Sequence, residues 1–197
     1  MALSSSLVRR ACVVALLALT SASAGAQAWY AVLTGAAEAP PSGSPGTGSA
    51  TFSLTGSSFT VSFSYSGLLA RTTASHIHCC TSAPLAGTVG VASPVPFFPG
   101  FITGVTAGSY LGTLDLTLAS SWNPSYITSH GGTTASAAAS LIAGMNSGKA
   151  YLNIHSTLYP GGEIRGFITP VPEPASLALL ATGLVAVGAV ARRRRTA

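Results

Sequence analysis

The sequence predicts an all-β domain, an antiparallel and Greek-key-like β-sandwich of seven to eight short strands with one short Ala-rich helix. Apolar and polar residues alternate in several short runs. Gly, Pro and Ser separate those runs, and only one stretch has convincing helical spacing. Strands with one aliphatic face each pack face to face, and an open barrel is the alternative arrangement.

The predicted strands follow one another as short segments, and no internal repeat is evident. They cover 29–34, 50–54, 59–65, 74–79, 114–118, 151–155 and 163–168, with short β-like pieces over 84–108. The strand at 114–118 rests on the alternation of three leucines with polar residues. A loop at 120–132 holds Trp122, Tyr126 and His130.

The one predicted helix begins at Thr134 and ends near Met145. Its apolar residues recur at helical spacing, a threonine is available to cap its start, and Gly148 follows its end. We expect this helix to close one end of the β structure.

The N-terminal segment 1–28 is typical of a secretory signal helix. Two arginines precede an apolar run over 11–19, and a small-x-small site ends at Ala28. That run has about half of the ~20 residues needed to cross a bilayer. We therefore predict cleavage by signal peptidase after Ala28, and cleavage after Ala24 or Ala26 satisfies the same rule.

The C-terminal segment 171–197 combines three features in a fixed order: Pro172-Glu173-Pro174, an apolar run over 175–191 and four arginines. Seventeen apolar residues are at the short limit for a transmembrane helix, roughly 17 to 25. The run predicts such a helix, and the arginines place its end in the cytoplasm and the domain outside.

This order resembles the PEP-CTERM sorting signal of Gram-negative bacteria that make extracellular polysaccharide. The resemblance implies recognition by an exosortase, cleavage near the motif and delivery to the envelope, the cell surface or the extracellular matrix. A permanent membrane anchor is the alternative, and it also leaves the domain outside the cytoplasm.

Three motifs in the middle segment, 29–170, resemble the CHRD domain, a module named for its repeats in chordin. They are LTGAAEAPP over 33–41, SHIH over 75–78 and NIHSTLYPGGEIRGFI over 153–168. The resemblance implies a small extracellular β domain, and it implies no particular activity.

The charge pattern argues against nucleic-acid binding. The net charge is +5, but six of the nine basic residues lie in the terminal segments. The middle segment has three positive and three negative residues, which sum to zero. A neutral domain lacks the basic surface that binds phosphate.

Three histidines are candidate ligands for copper or zinc. His76 and His78 project from the same face of a predicted strand because side chains alternate along a strand. His155 lies on the polar face of another strand and is the natural third ligand. His-x-His on a strand is reminiscent of copper-zinc superoxide dismutase, but the second, zinc-binding cluster of that family is missing.

A structural polar network is the alternative. Asn153, Glu163 and Arg165 share the polar face of the strands 151–155 and 163–168. They could hydrogen-bond with the histidines across adjacent strands. Asn153 or Glu163 could also support a metal ligand from outside the coordination sphere.

Cys79 and Cys80 are adjacent, and an oxidising compartment favours their oxidation. We expect a vicinal disulfide. Two metal-bound thiolates, an intermolecular bridge and two unpaired thiols remain open.

No catalytic set is apparent, because general acid-base catalysis has few candidates among three acids. The sequence therefore predicts an exported, non-catalytic binding or structural module at the cell envelope or in the polysaccharide matrix. A copper- or zinc-binding domain with redox activity is the alternative. Glycan binding through exposed Trp122 and Tyr126 is a third hypothesis, and the partners expected otherwise are an envelope protein or extracellular polysaccharide.

Overall fold

The computed structural model describes residues 27–171 and 174–195. Eight strands form its main element: β1 Gln27–Thr34, β2 Thr47–Thr55, β3 Ser58–Ser66, β4 Thr72–His78, β5 Gly108–Asp115, β6 Tyr151–Ser156, β7 Ile164–Phe167 and β8 Thr169–Pro170. Three α-helices, α1 Pro124–Ser129, α2 Thr134–Asn146 and α3 Pro174–Arg195, and two short 3-10 helices, Gly35–Ala37 and Ala119–Ser121, complete it. The predicted all-β antiparallel class and the strand number are confirmed.

The strands form one antiparallel sheet, so the prediction of a two-sheet sandwich is wrong. The order is β4-β6-β7-β1-β2-β3-β5, and β8 pairs with β1. β1 is the reason: it pairs along its whole length with β2 and also bonds to β7 and β8. The two halves that a sandwich would separate are thereby hydrogen-bonded into one sheet.

Loops and helix α2 close the core where a second sheet was expected. The ring of Phe63, on β3, packs against Phe98 and Phe101 of the long loop between β4 and β5. From the opposite end, Trp29 Nε1 donates a hydrogen bond of 2.9 Å to Asn146 Oδ1 at the end of α2. The core therefore lies between the inner face of the sheet and these covering segments.

The predicted helix is confirmed as α2. The sequence did not predict α1. Thr133 caps α2, since its side chain accepts a hydrogen bond from Ser136 N and Ser136 reciprocates. For α1, the signal was Asn123 followed by Pro124, a capping residue and a proline at the first helical position. The predicted loop at 120–132 therefore contains a short helix.

The strand predicted at 114–118 is displaced. β5 ends at Asp115, whose Oδ1 accepts hydrogen bonds from both the main chain and the hydroxyl of Thr117. This side-chain turn ends the strand, and Leu118 is 54% exposed. The β-like pieces expected over 84–108 reduce to a single bridge between His78 and Val91 before β5 begins at Gly108.

The two terminal signals lie partly outside the described residues, which exclude 1–26, 172–173 and 196–197. β1 already includes Gln27 and Ala28, so cleavage after Ala28 would remove two paired residues, whereas cleavage after Ala24 or Ala26 would leave the strand whole. Across 27–171 and 174–195, none of the helices meets the length and hydropathy of a bilayer span, including the helix over the predicted transmembrane run at 175–191.

Candidate metal centre

The candidate site lies on β4, β6 and β7, where both faces of the sheet are buried. One face carries Ile77, Leu152, Ile154 and Ile164 into the core, all at 0% exposure. The register places His76 opposite Asn153 and His78 opposite Tyr151. Cross-strand partners share a face, so the polar side chains gather on the face away from the core.

The structure brings the three predicted histidines together. One nitrogen from each of His76, His78 and His155 can be chosen so that all three lie within 4.8 Å of one another. His76 Nδ1 and His155 Nε2 are 3.2 Å apart. Each histidine is only 8% exposed. The three histidines meet because β4 pairs directly with β6. The residue spacing along the sequence did not establish that pairing.

The hydrogen bonds of the three rings fix their tautomers. Each ring has one nitrogen near a main-chain carbonyl oxygen: His76 Nε2 at 2.6 Å from Pro96, His78 Nδ1 at 2.8 Å from Val89 and His155 Nδ1 at 3.0 Å from Pro160. A carbonyl oxygen only accepts, so the nitrogen facing it carries the hydrogen. In the neutral imidazoles, His76 Nδ1, His78 Nε2 and His155 Nε2 therefore hold lone pairs.

Two of these lone pairs face each other, and no donor to the third is present among the described residues. In the described part of the chain, His78 Nε2 is buried and has no hydrogen-bond partner. The approach of His76 Nδ1 to His155 Nε2 joins two acceptors, so it is no hydrogen bond while both rings are neutral. Leaving buried acceptors unsatisfied costs roughly 1–3 kcal/mol each. A bound cation would satisfy all three.

Burial keeps the imidazoles neutral. It lowers the pKa of His76 to about 4, with a further contribution from His155, and it lowers that of His78 to about 4. The pKa of His155 is lowered for the same reason. Neutral imidazole is the form that binds metal. Second-sphere carbonyls that orient the rings are the usual companions of histidine ligands.

Asn153 and Arg165 lie on the same face as the histidines. Arg165 is 3% exposed, and its Nε and Nη1 donate to the carbonyls of Ala37 and Gly87. Its guanidinium carbon is 4.8 Å from the centre of the Tyr151 ring. That ring stacks on His78 with centres 4.7 Å apart.

Glu38 belongs to this polar cluster, and the sequence reasoning missed it. Glu38 Oε2 is 3.7 Å from Arg165 Nε, while Glu38 Oε1 and Asn153 Oδ1 are buried without partners among the described residues. Burial raises the pKa of Glu38 to about 7, against the opposing attraction of Arg165. The available signal was its place in the motif LTGAAEAPP as one of only three acids in the domain.

Glu163 does not hydrogen-bond across adjacent strands as predicted. It is fully buried, and its Oε1 accepts hydrogen bonds from the Ser44 hydroxyl, at 2.7 Å, and from the main chain of Leu69, at 2.5 Å. Ser42 donates to its carbonyl oxygen. Glu163 therefore ties two loops together, and its carboxylate has no hydrogen bond to a histidine in the described structure.

Cys79 and Cys80 form a disulfide bond. Cys79 is 1% exposed, and Cys80 Sγ lies 3.4 Å from the Ser140 carbonyl oxygen of α2. A methyl group on Gly144 would overlap both sulfur atoms. The disulfide thus lies under α2, and its sulfurs are bonded to each other.

The aromatic residues proposed for glycan binding are buried, so that hypothesis is wrong. Trp122 and Tyr126 are each 3% exposed, and their rings stack with centres 5.8 Å apart. Trp122 Nε1 donates to the Leu116 carbonyl at 3.0 Å. His130 stacks on Tyr126 at 3.9 Å and stays apart from the other three histidines.

Comparison with known families finds two matches. Residues 29–168 match the CHRD domain, and residues 170–195 match the PEP-CTERM protein-sorting motif. No curated protein and no solved structure gives a significant match. The sorting motif indicates export to the envelope or surface of a Gram-negative bacterium and processing by an exosortase. Because the first match spans most of the chain, the protein belongs to the CHRD domain family and carries a PEP-CTERM sorting motif at its C-terminal end.

Proposed function

We propose that this exported protein is a non-catalytic binding module of the cell envelope or the extracellular polysaccharide matrix, and that it binds a copper or zinc ion. His76, His78 and His155 are the ligands. The CHRD match and the sorting motif support the location, and the geometry of the three imidazoles supports the ion.

The single observation behind the metal is a cluster of three buried histidines whose candidate ligand nitrogens lie within 4.8 Å of one another. A purely structural network would pair donors with acceptors, because buried polar groups are almost always satisfied. Here three carbonyls take the three available N–H groups and leave acceptors facing each other. Copper and zinc both accept imidazole nitrogen, and either ion would replace this repulsion with three bonds.

The proposal of a non-catalytic role rests on the same groups. Among the described residues, the three neutral histidines have no hydrogen bond to a carboxylate, hydroxyl or thiol that would activate a nucleophile. An activated nucleophile needs such a neighbouring base within reach. Binding is therefore the activity that this cluster supports.

Metal analysis of the purified full-length protein tests this function. After mild purification and exposure to copper and zinc, we expect close to one ion per chain, measured by elemental analysis after gel filtration. His78→Ala should lose the ion. His130→Ala is the matched control, because His130 lies outside the cluster, and it should keep the ion. Folded wild-type protein that binds neither metal would contradict the proposal.

A further inference from the structure

We propose that the site selects monovalent copper, Cu(I), over Zn²⁺ and Cu²⁺. This inference rests on the proposed function, since it names the ion that the three histidines bind. Three features of the described structure carry it: the charge of the ligand set, the number of ligands, and a buried cation on the same sheet face.

The ligand set carries no negative charge. Over 27–171 and 174–195, the cluster contains only His76, His78 and His155, with no carboxylate or thiolate. The nearest sulfurs along the chain, those of Cys79 and Cys80, are bonded to each other. A buried divalent ion held by three neutral rings would keep its full double charge in a medium of low dielectric, which is costly. A monovalent ion halves the charge that must be buried.

The number of ligands points the same way. Structural zinc sites hold four protein ligands, and catalytic zinc sites add water to three. Over the described residues the cluster offers three protein ligands, and each of the three histidines is only 8% exposed. Cu(I) is stable with three nitrogen ligands and needs no fourth, so it fits a buried three-imidazole set that does not complete a tetrahedron.

Arg165 adds a fixed positive charge beside the site. Its guanidinium lies against the rings of Tyr151 and Phe167, and the Tyr151 ring stacks on the ligand His78. Like charges repel in proportion to the product of their charges, so Arg165 disfavours a divalent ion about twice as strongly as a monovalent one. Glu38 offsets this repulsion only when it is ionised, and its other carboxylate oxygen has no partner among the described residues.

Competition titrations of the metal-free, full-length protein test the selectivity. Cu(I) is titrated anaerobically against a Cu(I)-specific chelator, and Zn²⁺ and Cu²⁺ are titrated against chelators of their own. We expect one Cu(I) per chain, bound about 100-fold more tightly than Zn²⁺, as the charge argument implies. The loaded protein should be silent in electron paramagnetic resonance.

Arg165 variants isolate the charge effect. Arg165→Gln should raise the affinity for Zn²⁺ about tenfold and that for Cu(I) about threefold, because the repulsion energy scales with ion charge. Arg165→Lys keeps the charge while losing the planar hydrogen bonds, and it should retain the preference. Circular dichroism establishes that each variant is folded.

The outcomes separate the two proposals. Equal or tighter binding of Zn²⁺ or Cu²⁺ by the wild type overturns the selectivity for Cu(I) and leaves the metal-binding function intact. Absence of binding for all three ions overturns both. Unchanged selectivity in a folded Arg165→Gln protein overturns the role of the guanidinium.

Discussion

The two halves of the sheet use the same strand geometry for different purposes. On β2 and β3, buried residues such as Phe52 and Phe63 alternate with Ser and Thr that are exposed or half-buried. Every residue of β6 is buried, and so are the last four of β4. Loops that cover the outer face make the difference. Polar side chains in the covered half have shifted pKa values because their strand face is buried.

The largest expected effect concerns the tight contact between the covered half and β1. A methyl group on Gly166 of β7 would overlap the main-chain carbonyl oxygen of Val32. A backbone oxygen of a paired strand cannot rotate away, so Gly166→Ala should lower the free energy of unfolding by roughly 2–4 kcal/mol. Urea denaturation followed by fluorescence measures the change.

Gly161 is the matched control for that substitution. It lies in the loop before β7, and a methyl group added there would have no atom within 4 Å among the described residues. Gly161→Ala should therefore change stability by less than about 0.5 kcal/mol. Equal stability of the two variants would show that β7 and β1 are less closely packed than described.

The sequence located strands in both halves of the sheet but did not predict how they pair, for a physical reason. Alternation located β2 and β3 because one face of each meets solvent. The same rule placed Tyr151, Asn153 and His155 on one face, and the register agrees. Pairing of β4 with β6 is a long-range contact that local pattern cannot encode. The alternation of apolar and polar residues also could not distinguish two separate sheets from a single sheet joined through β1.

The site residues show the same limit. His76, His78 and His155 were identified by residue type and strand parity, both of which are local properties. Glu38 was missed because its approach to Arg165 joins residues 127 positions apart, through a loop rather than a strand pair. Glu163 was assigned to the wrong partners because its carboxylate contacts depend on the path of the loops around Ser44 and Leu69.

A smaller effect on stability depends on pH and tests how burial affects Glu38. Because burial raises the pKa of Glu38 to about 7, the folded domain holds that proton more tightly than the unfolded chain, whose carboxyl titrates near 4.5. Stability from this group is fully present below pH 4.5 and is lost as the pH rises through 7. Glu38→Gln cannot ionise and should avoid this loss.

The test compares wild type and Glu38→Gln by thermal denaturation of metal-free protein from pH 4.5 to 8. The histidines titrate in both proteins, so their contribution cancels in the difference. We expect the advantage of Glu38→Gln to grow as the pH rises and to level off above 7. A difference that stays constant over this range would mean that Glu38 is ionised throughout in the folded domain.

The smallest effect is expected on the exposed half. The hydroxyls of Thr60 on β3 and Thr113 on β5 are 3.1 Å apart across neighbouring strands. Both are open to solvent, so water can replace the lost partner and Thr60→Ala should cost only about 0.2–1 kcal/mol. Asn153→Ala offers the opposing case and should cost more, since Asn153 is 2% exposed and its amide nitrogen donates to the Gly161 carbonyl. Denaturation of both variants measures the loss of unfolding free energy. A larger loss for Thr60→Ala than for Asn153→Ala would contradict the view that coverage of the strand face distinguishes the two halves.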